Sequence, residues 1–115
     1  MIGVDAVKAI LSQYERFGWQ LHHLLMADDM RNGLGSAAGE FFGEMEILNS
    51  DLNAAWFSRP AENGRIAYEL RALDATPFAL LDSTSADADE IELRDMFMDV
   101  EQQLRERLSR HPKSH

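Results

Sequence analysis

The chain contains no cysteine among its 115 residues. This absence excludes disulfide bonds, thiolate nucleophiles, and zinc or iron–sulfur sites built on cysteine. It is typical of a protein that works inside the cell, and we expect a cytoplasmic location. The first residues also lack the basic stretch and apolar run with which a secretory signal begins, so we expect no such signal.

Positive charge is scarce: 11 Lys and Arg stand against 20 Asp and Glu, which gives a net charge of -9. Binding to nucleic acid requires clustered Lys and Arg, so we expect no nucleic-acid partner. The same shortage disfavours an anionic membrane surface, and no run of 18 apolar residues is present to span a membrane. The remaining composition, 45% hydrophobic and 27% charged, is that of an ordinary folded domain. We expect one domain over residues 1–110 and a C-terminal tail at 111–115.

Two long helices are predicted from apolar residues that recur at helical spacing. The first covers residues 4–27 and has Gly18 inside its apolar stripe, where we expect another element to approach closely. The second covers residues 87–109, with Asp87 and Glu90 forming a start that resembles a capping box. Acidic residues early in this second helix and arginines late in it complement the helix dipole.

Three strands are predicted between the helices, at residues 53–59, 65–72 and 77–82, and turn-forming residues separate them. The preceding segment, 34–48, has glycines that interrupt any period. We expect a short helical turn there after Ser36, anchored by Phe41 and Phe42, and a short fourth strand at residues 46–48. The element order predicts an α+β fold, in which an antiparallel β-meander of three to four strands is packed on one face by two long helices.

An Asn-Gly pair at 63–64 predicts a two-residue β-hairpin turn, because both residues tolerate positive φ angles. In that register Phe57 pairs with Leu70 and Trp56 pairs with Arg71. Side chains alternate along a strand, so the face of the second strand that carries Leu70 would pack on the helices, and Trp56 would point away from them.

This outer sheet face is our candidate binding surface. Tryptophan and arginine are enriched in binding hot spots, and an uncovered sheet favours a second layer. We expect homodimerisation through this face, or binding of another protein partner. A purely structural alternative is a cation–π contact between Trp56 and Arg71, or burial of Trp56 under the 34–48 segment. The candidate binding residues are Trp56, Ser58, Glu69, Arg71, Leu81 and, off the stripe of the first helix, Trp19.

The rival hypothesis is a small-molecule binder or enzyme, with a pocket between sheet and helices that uses Tyr68, Arg59 or His22. Sequence motifs support no particular chemistry. The glycine-rich stretch at 32–43 lacks the P-loop lysine and a preceding strand. His22 and His23 on a helix would point about 100° apart and could not share a metal ion. We therefore expect no cofactor and no metal, and we assign no catalytic residue.

Overall fold

The structure, a computed structural model, describes residues 4–34, 46–73 and 78–110. The predicted turn after Ser36 and the tail at 111–115 lie outside these residues. No helix within the described ranges is long and apolar enough to cross a membrane. The elements in chain order are α1 (Val4–Arg16), β1 (Gln20–Met26), α2 (Asp28–Leu34), β2 (Ile47–Asn49), β3 (Ala54–Pro60), β4 (Arg65–Ala72), β5 (Ala79–Ser85) and α3 (Glu90–Arg110).

The α+β class is confirmed, but the sheet is larger than predicted. The described residues contribute five strands to it, in the order β2-β1-β3-β4-β5. The predicted antiparallel meander corresponds to β3, β4 and β5, and β1 pairs antiparallel with β3. The short strand predicted near residue 47 is present as β2, which runs parallel to β1. The sheet is therefore mixed, with one parallel pair at one edge.

The predicted helix over 4–27 is wrong in its second half. The α1 helix ends at Arg16, and Gly18 follows it with φ +87°, a left-handed conformation that favours glycine. The Gly18 N–H bonds the Glu15 carbonyl at 3.0 Å and the Trp19 N–H bonds the Tyr14 carbonyl at 3.0 Å. These two bonds form a Schellman C-cap, so the glycine that we read as a packing site instead terminates the helix.

Strand β1 lies where the rest of that helix was predicted. A β-bulge in this strand accounts for the wrong prediction. Leu21 pairs with Phe57 and His23 pairs with Trp56, so His22 is an extra residue without a partner on β3. The bulge makes Leu21 and Leu24 face the same side of the sheet, where both pack in one core cluster. Their spacing of three residues therefore imitates the period of a helix.

The hairpin between β3 and β4 is one residue out of the predicted register. Asn63 and Gly64 have φ +60° and +67°, as a type I′ turn requires, and the Arg65 N–H closes the turn on the Glu62 carbonyl. The Arg65 carbonyl, however, accepts from Ala61 N–H at 2.9 Å. The β3 side of the hairpin therefore has one extra residue beside the turn, and every later pair between β3 and β4 is shifted by one residue.

The shifted pairing places Trp56 opposite Leu70 and Phe57 opposite Glu69. The alternation that we predicted within β4 is correct, but Trp56 joins the face of the sheet that carries Leu70. The predicted exposure of Trp56 on an outer face is therefore wrong.

Both faces of the sheet carry a helix, which corrects the prediction that both helices pack on one face. One core cluster joins Val7 of α1 to Leu24, Ala55 and Phe57. The other joins Val100 and Leu104 of α3 to the opposite set of strand residues, which includes Trp56, Tyr68 and Leu70. We call these two sides of the sheet the α1 face and the α3 face.

The C-terminal helix starts later than predicted. The Asp89 carboxylate accepts a hydrogen bond of 2.9 Å from the Glu92 N–H, so the N-cap is Asp89 and not Asp87. The apolar residues whose helical spacing predicted this helix all pack in the α3-face cluster, which confirms that spacing: Leu93, Met96, Phe97, Val100, Leu104 and Leu108.

Candidate ligand-binding cleft

Trp56 lies at the centre of the α3-face core, and its side chain is 0% exposed. Its ring contacts that of Phe97 with centroids 4.6 Å apart. The indole N–H donates a 2.9 Å hydrogen bond to Glu101 Oε2 on α3. The tryptophan that the sequence placed on a partner-binding surface is thus a core residue whose polar atom is satisfied within the chain.

The other predicted site residues divide between the two faces. Ser58 follows Trp56 on the α3 face, opposite Tyr68. Glu69 and Arg71 lie on the α1 face of β4, and Leu81 lies beside them on β5. Leu81 is 66% exposed. The predicted binding surface around Trp56 is therefore not formed, because Trp56 and Ser58 lie on the α3 face. The other four candidate residues share the α1 face: Trp19, Glu69, Arg71 and Leu81.

Trp19 belongs to this α1-face group. It borders a cavity of about 290 Å³ that Glu69 and Arg71 also line. The Arg59 guanidinium lies 5.1 Å from the Trp19 ring centroid, and its Nη1 donates to the Phe17 carbonyl at 3.1 Å. The cation–π contact given above as a structural alternative for Trp56 and Arg71 is not possible, because the two side chains lie on opposite faces of the sheet. The cation–π contact on the α1 face joins Arg59 and Trp19 instead.

Tyr14 connects α1 to this part of the sheet. Its hydroxyl donates a hydrogen bond to the Glu69 carboxylate, and its ring stacks on Phe57 with centroids 4.0 Å apart. Burial and the neighbouring Glu69 carboxylate raise the pKa of Tyr14. The hydroxyl therefore stays protonated and acts as the donor, so this contact holds α1 on the sheet.

A larger cavity, of about 590 Å³, lies between α3 and the β1–β2 edge of the sheet. We call it the α3 cleft. Two elements of the sheet and one helix supply its walls, and its lining mixes rings and aliphatic side chains with acids and two arginines. The lining residues are His22, His23, Leu25, Glu46, Leu48, Asn49, Ser50, Asp51, Glu90, Leu93, Arg94, Phe97, Met98, Glu101 and Arg105.

The bulge in β1 turns two consecutive histidines into this cleft. Successive residues of a regular strand point to opposite faces, so without the extra residue only one of them would line it. Instead the Nδ1 atoms of His22 and His23 lie 2.7 Å apart. Both rings contact Phe97, with centroid distances of 5.5 Å and 5.3 Å.

The two imidazoles are neutral at pH 7. Burial lowers the pKa of His22, although the nearby Glu46 carboxylate partly opposes this. Burial, together with the neighbouring His22, lowers the pKa of His23 to about 4. The Nδ1–Nδ1 contact is therefore a hydrogen bond between a neutral donor and a neutral acceptor, and the pair offers donor and acceptor capacity to a third group.

Charged side chains line other parts of the cleft. Asp51 is paired with Arg105, with a distance of 2.8 Å from Asp51 Oδ1 to the guanidinium Nη2. Hydrogen bonds from Arg105 lower the pKa of Asp51. The Trp56 indole fixes Glu101 on the opposite wall. The described part of the chain contains no group of three or more His, Asp and Glu side chains that could hold a metal ion.

Of the three residues in our small-molecule hypothesis, only His22 lines the cleft. Tyr68 is buried beneath it, 5.7 Å from the His22 ring centroid, and Arg59 lies on the α1 face against Trp19. Sequence reasoning missed His23 as a partner of His22 because it placed both on a helix. The available signal was Gly18, which as a C-cap would have ended that helix.

Comparison of this chain with protein-family models, with curated proteins and with solved structures gave no match.

Proposed function

We propose that this protein binds a small organic molecule in the α3 cleft. The observation that carries the proposal is the pair His22 and His23, both turned into a cavity of about 590 Å³ by a β-bulge. Pockets for small ligands typically enclose about 300 to 1,000 Å³ and place a few polar groups among apolar ones. Bulges are over-represented beside functional sites, where they re-aim a side chain.

The charge of the cleft indicates the class of ligand. Asp51 and Arg105 form an ion pair and neutralise each other. The other charged side chains in the lining are three acids and one base, so acids outnumber bases: Glu46, Glu90, Glu101 and Arg94. The histidines add no positive charge at pH 7. A neutral or cationic ligand is therefore favoured over an anionic one.

The side chains around the two histidines also indicate the shape of the ligand. Phe97 provides an aromatic surface beside the two imidazoles. Planar groups stack favourably on such rings, and a hydrogen-bonding edge on the same ligand could pair with an imidazole nitrogen. We propose a small planar heterocycle, neutral or cationic, as the ligand class.

A thermal-shift screen tests the proposal, because a ligand that binds only the folded state raises the melting temperature. The screen uses neutral, cationic and anionic planar fragments in buffer containing EDTA. We expect hits among the neutral and cationic fragments. Stabilisation by none of them, or by anionic fragments alone, would count against the cleft as proposed.

Two matched variants locate the hits. Leu48 is 42% exposed in the cleft wall on β2, and Leu81 is exposed on β5 on the other side of the sheet. Leu48→Trp fills part of the cleft and should abolish the shifts, whereas Leu81→Trp should leave them unchanged. If the fragments raised the melting temperatures of Leu48→Trp and Leu81→Trp equally, they would bind outside the α3 cleft.

Self-association remains a second candidate, and the edge strand β5 favours it. No strand pairs with the outer side of β5 in the described ranges, and its sequence ALLDSTS has none of the Pro or Lys residues that commonly protect a sheet edge. We propose that two copies pair through β5, with Leu81 beside the contact.

Sedimentation velocity tests this second candidate. Wild-type protein should be a dimer at micromolar concentration and Leu81→Asp a monomer. Ile91→Asp, which places the same charge at an exposed apolar residue of α3, is the control and should remain a dimer. A monomeric wild type would rule out the dimer.

A further inference from the structure

The strongest feature of the cleft is the convergence of two ring nitrogens from adjacent residues. His22 Nδ1 and His23 Nδ1 lie 2.7 Å apart at the cleft wall. The sequence argument against a shared metal ion assumed a helix, on which the two side chains would diverge. Strand β1 and its bulge remove that objection, because both side chains point to one place.

Two imidazole nitrogens favour a late first-row divalent ion. Such an ion binds imidazole nitrogen at about 2.0 to 2.1 Å, which places two ligands on one ion about 2.9 to 3.3 Å apart, so a small rotation of the hydrogen-bonded rings admits it. Affinity for a given nitrogen site rises among the divalent ions through Ni²⁺ to Cu²⁺ and falls again at Zn²⁺. Cu²⁺ and Ni²⁺ are therefore the favoured ions.

Binding of a metal ion by the two neutral histidines releases no proton to solvent. Each neutral imidazole carries one proton, and placing both protons on the Nε2 atoms leaves both Nδ1 lone pairs free. One hydrogen bond between the rings is then replaced by two metal–nitrogen bonds. The Glu46 and Glu101 carboxylates in the same lining add negative potential that favours a cation.

We propose that His22 and His23 chelate one Cu²⁺ or Ni²⁺ ion through their Nδ1 atoms. Within the described residues two protein ligands converge, and the other coordination positions are filled by water or by donor atoms of the molecule bound in the cleft. The inference deepens the proposed function and rests on it for that last role, since the ion would present a coordination site to the ligand.

Titration with Cu²⁺ alone tests the chelate. The protein also has His111 and His115, so the background variant carries His111→Ala and His115→Ala. It also carries Trp19→Phe, which leaves Trp56 as the sole indole. The Trp56 ring lies 6.4 Å from that of His23, so bound Cu²⁺ should quench its fluorescence. Calorimetry on the same samples gives the stoichiometry, for which we expect one ion per chain.

His22→Asn removes one ligand, and Gln20→Asn, at an exposed residue of the same strand outside the cleft lining, is the control. Loss of even an outer partner of a metal ligand weakens affinity by about tenfold or more, so loss of a ligand should cost at least about tenfold. Gln20→Asn should bind Cu²⁺ as the background does. Circular dichroism checks that both variants are folded.

The outcomes separate the chelate from the cleft function. Cu²⁺ binding that His22→Asn leaves unchanged, or no quenching at micromolar Cu²⁺, would overturn the chelate. Fragment binding in EDTA alongside that result would leave the cleft function intact. Conversely, quenching that depends on His22, in a protein with no fragment hits, would support the chelate and not the cleft.

Discussion

The indole N–H of Trp56 donates a hydrogen bond to Glu101 Oε2 at 2.9 Å, which joins the central strand β3 to helix α3. Buried tryptophan usually finds such a partner, because an unpaired N–H in the core is costly. Glu101 also lines the α3 cleft. One contact therefore holds the helix on the sheet and fixes a carboxylate in the candidate site.

Removal of this indole should destabilise the protein severely. Trp56→Ala deletes a fully buried aromatic side chain, for which the usual cost is about 3 to 5 kcal/mol. Trp56→Phe keeps much of the volume and should cost less. Urea denaturation measures both. A Trp56→Ala protein within about 1 kcal/mol of wild type would contradict the core placement.

The contact between Tyr14 and Glu69 should hold α1 on the α1 face. A hydrogen bond to a charged group contributes about 1.5 to 3 kcal/mol to stability, so Tyr14→Phe should lower the free energy of unfolding by about this amount. Glu69→Gln tests the same contact from the other side. In a double-mutant cycle the two effects should be clearly non-additive. Additive effects would show that the pair is not coupled.

Gly18 should be required for its backbone conformation alone. Its φ of +87° is unfavourable for other residues, yet a Cβ built there meets nothing within 4 Å. Gly18→Ala should therefore cost about 1 to 2 kcal/mol without any steric clash. Gly18→Asn should cost less, because asparagine tolerates the left-handed region better. Equal stability of the alanine and glycine proteins in urea would contradict the C-cap assignment.

The contrast between the two ends of the chain shows what the sequence could predict. The stripe from Leu93 to Leu108 follows one helical face and has no competing reading, so α3 was predicted closely. In the first segment Leu21 and Leu24 continue the helical spacing of α1 into β1. A bulge produced that spacing, and a single sequence does not separate a bulged strand from a helix by periodicity alone.

The candidate site was missed for a related reason. The type I′ turn at 63–64 was correctly predicted, but a bulge at Ala61 moved the register by one residue. A shift of one residue exchanges the two faces of a strand, which carried Trp56 from the surface to the core. The cleft depends on the second bulge, at His22. Both errors arise from single inserted residues, which local pattern does not reveal.

Acid should destabilise the fold through His23. Its pKa is about 4 in the folded chain, because burial disfavours the charged ring and His22 adds to the effect. An unfolded histidine has a pKa of about 6.5, so between these values the unfolded state binds more protons and stability falls as pH falls. From pH 7 to pH 5 we expect a loss of about 1 to 2 kcal/mol.

Urea denaturation in EDTA at the two pH values measures this loss. His23→Gln, which does not titrate, is the control and should show a smaller decrease over the same interval. Glu46 and Glu101, the carboxylates that line the cleft near the imidazoles, are unchanged in that variant. A decrease of the same size in both proteins would assign the pH dependence to other groups.

Chemical-shift mapping of fragment binding in ¹H–¹⁵N spectra tests most directly whether the α3 cleft is a ligand site. With neutral or cationic planar fragments, the largest shifts should fall on the amides of His22, His23, Leu48 and Phe97, and the Leu81 amide should stay unchanged. Shifts centred on Trp19 and Leu81, or no shifts with any fragment, would contradict the account.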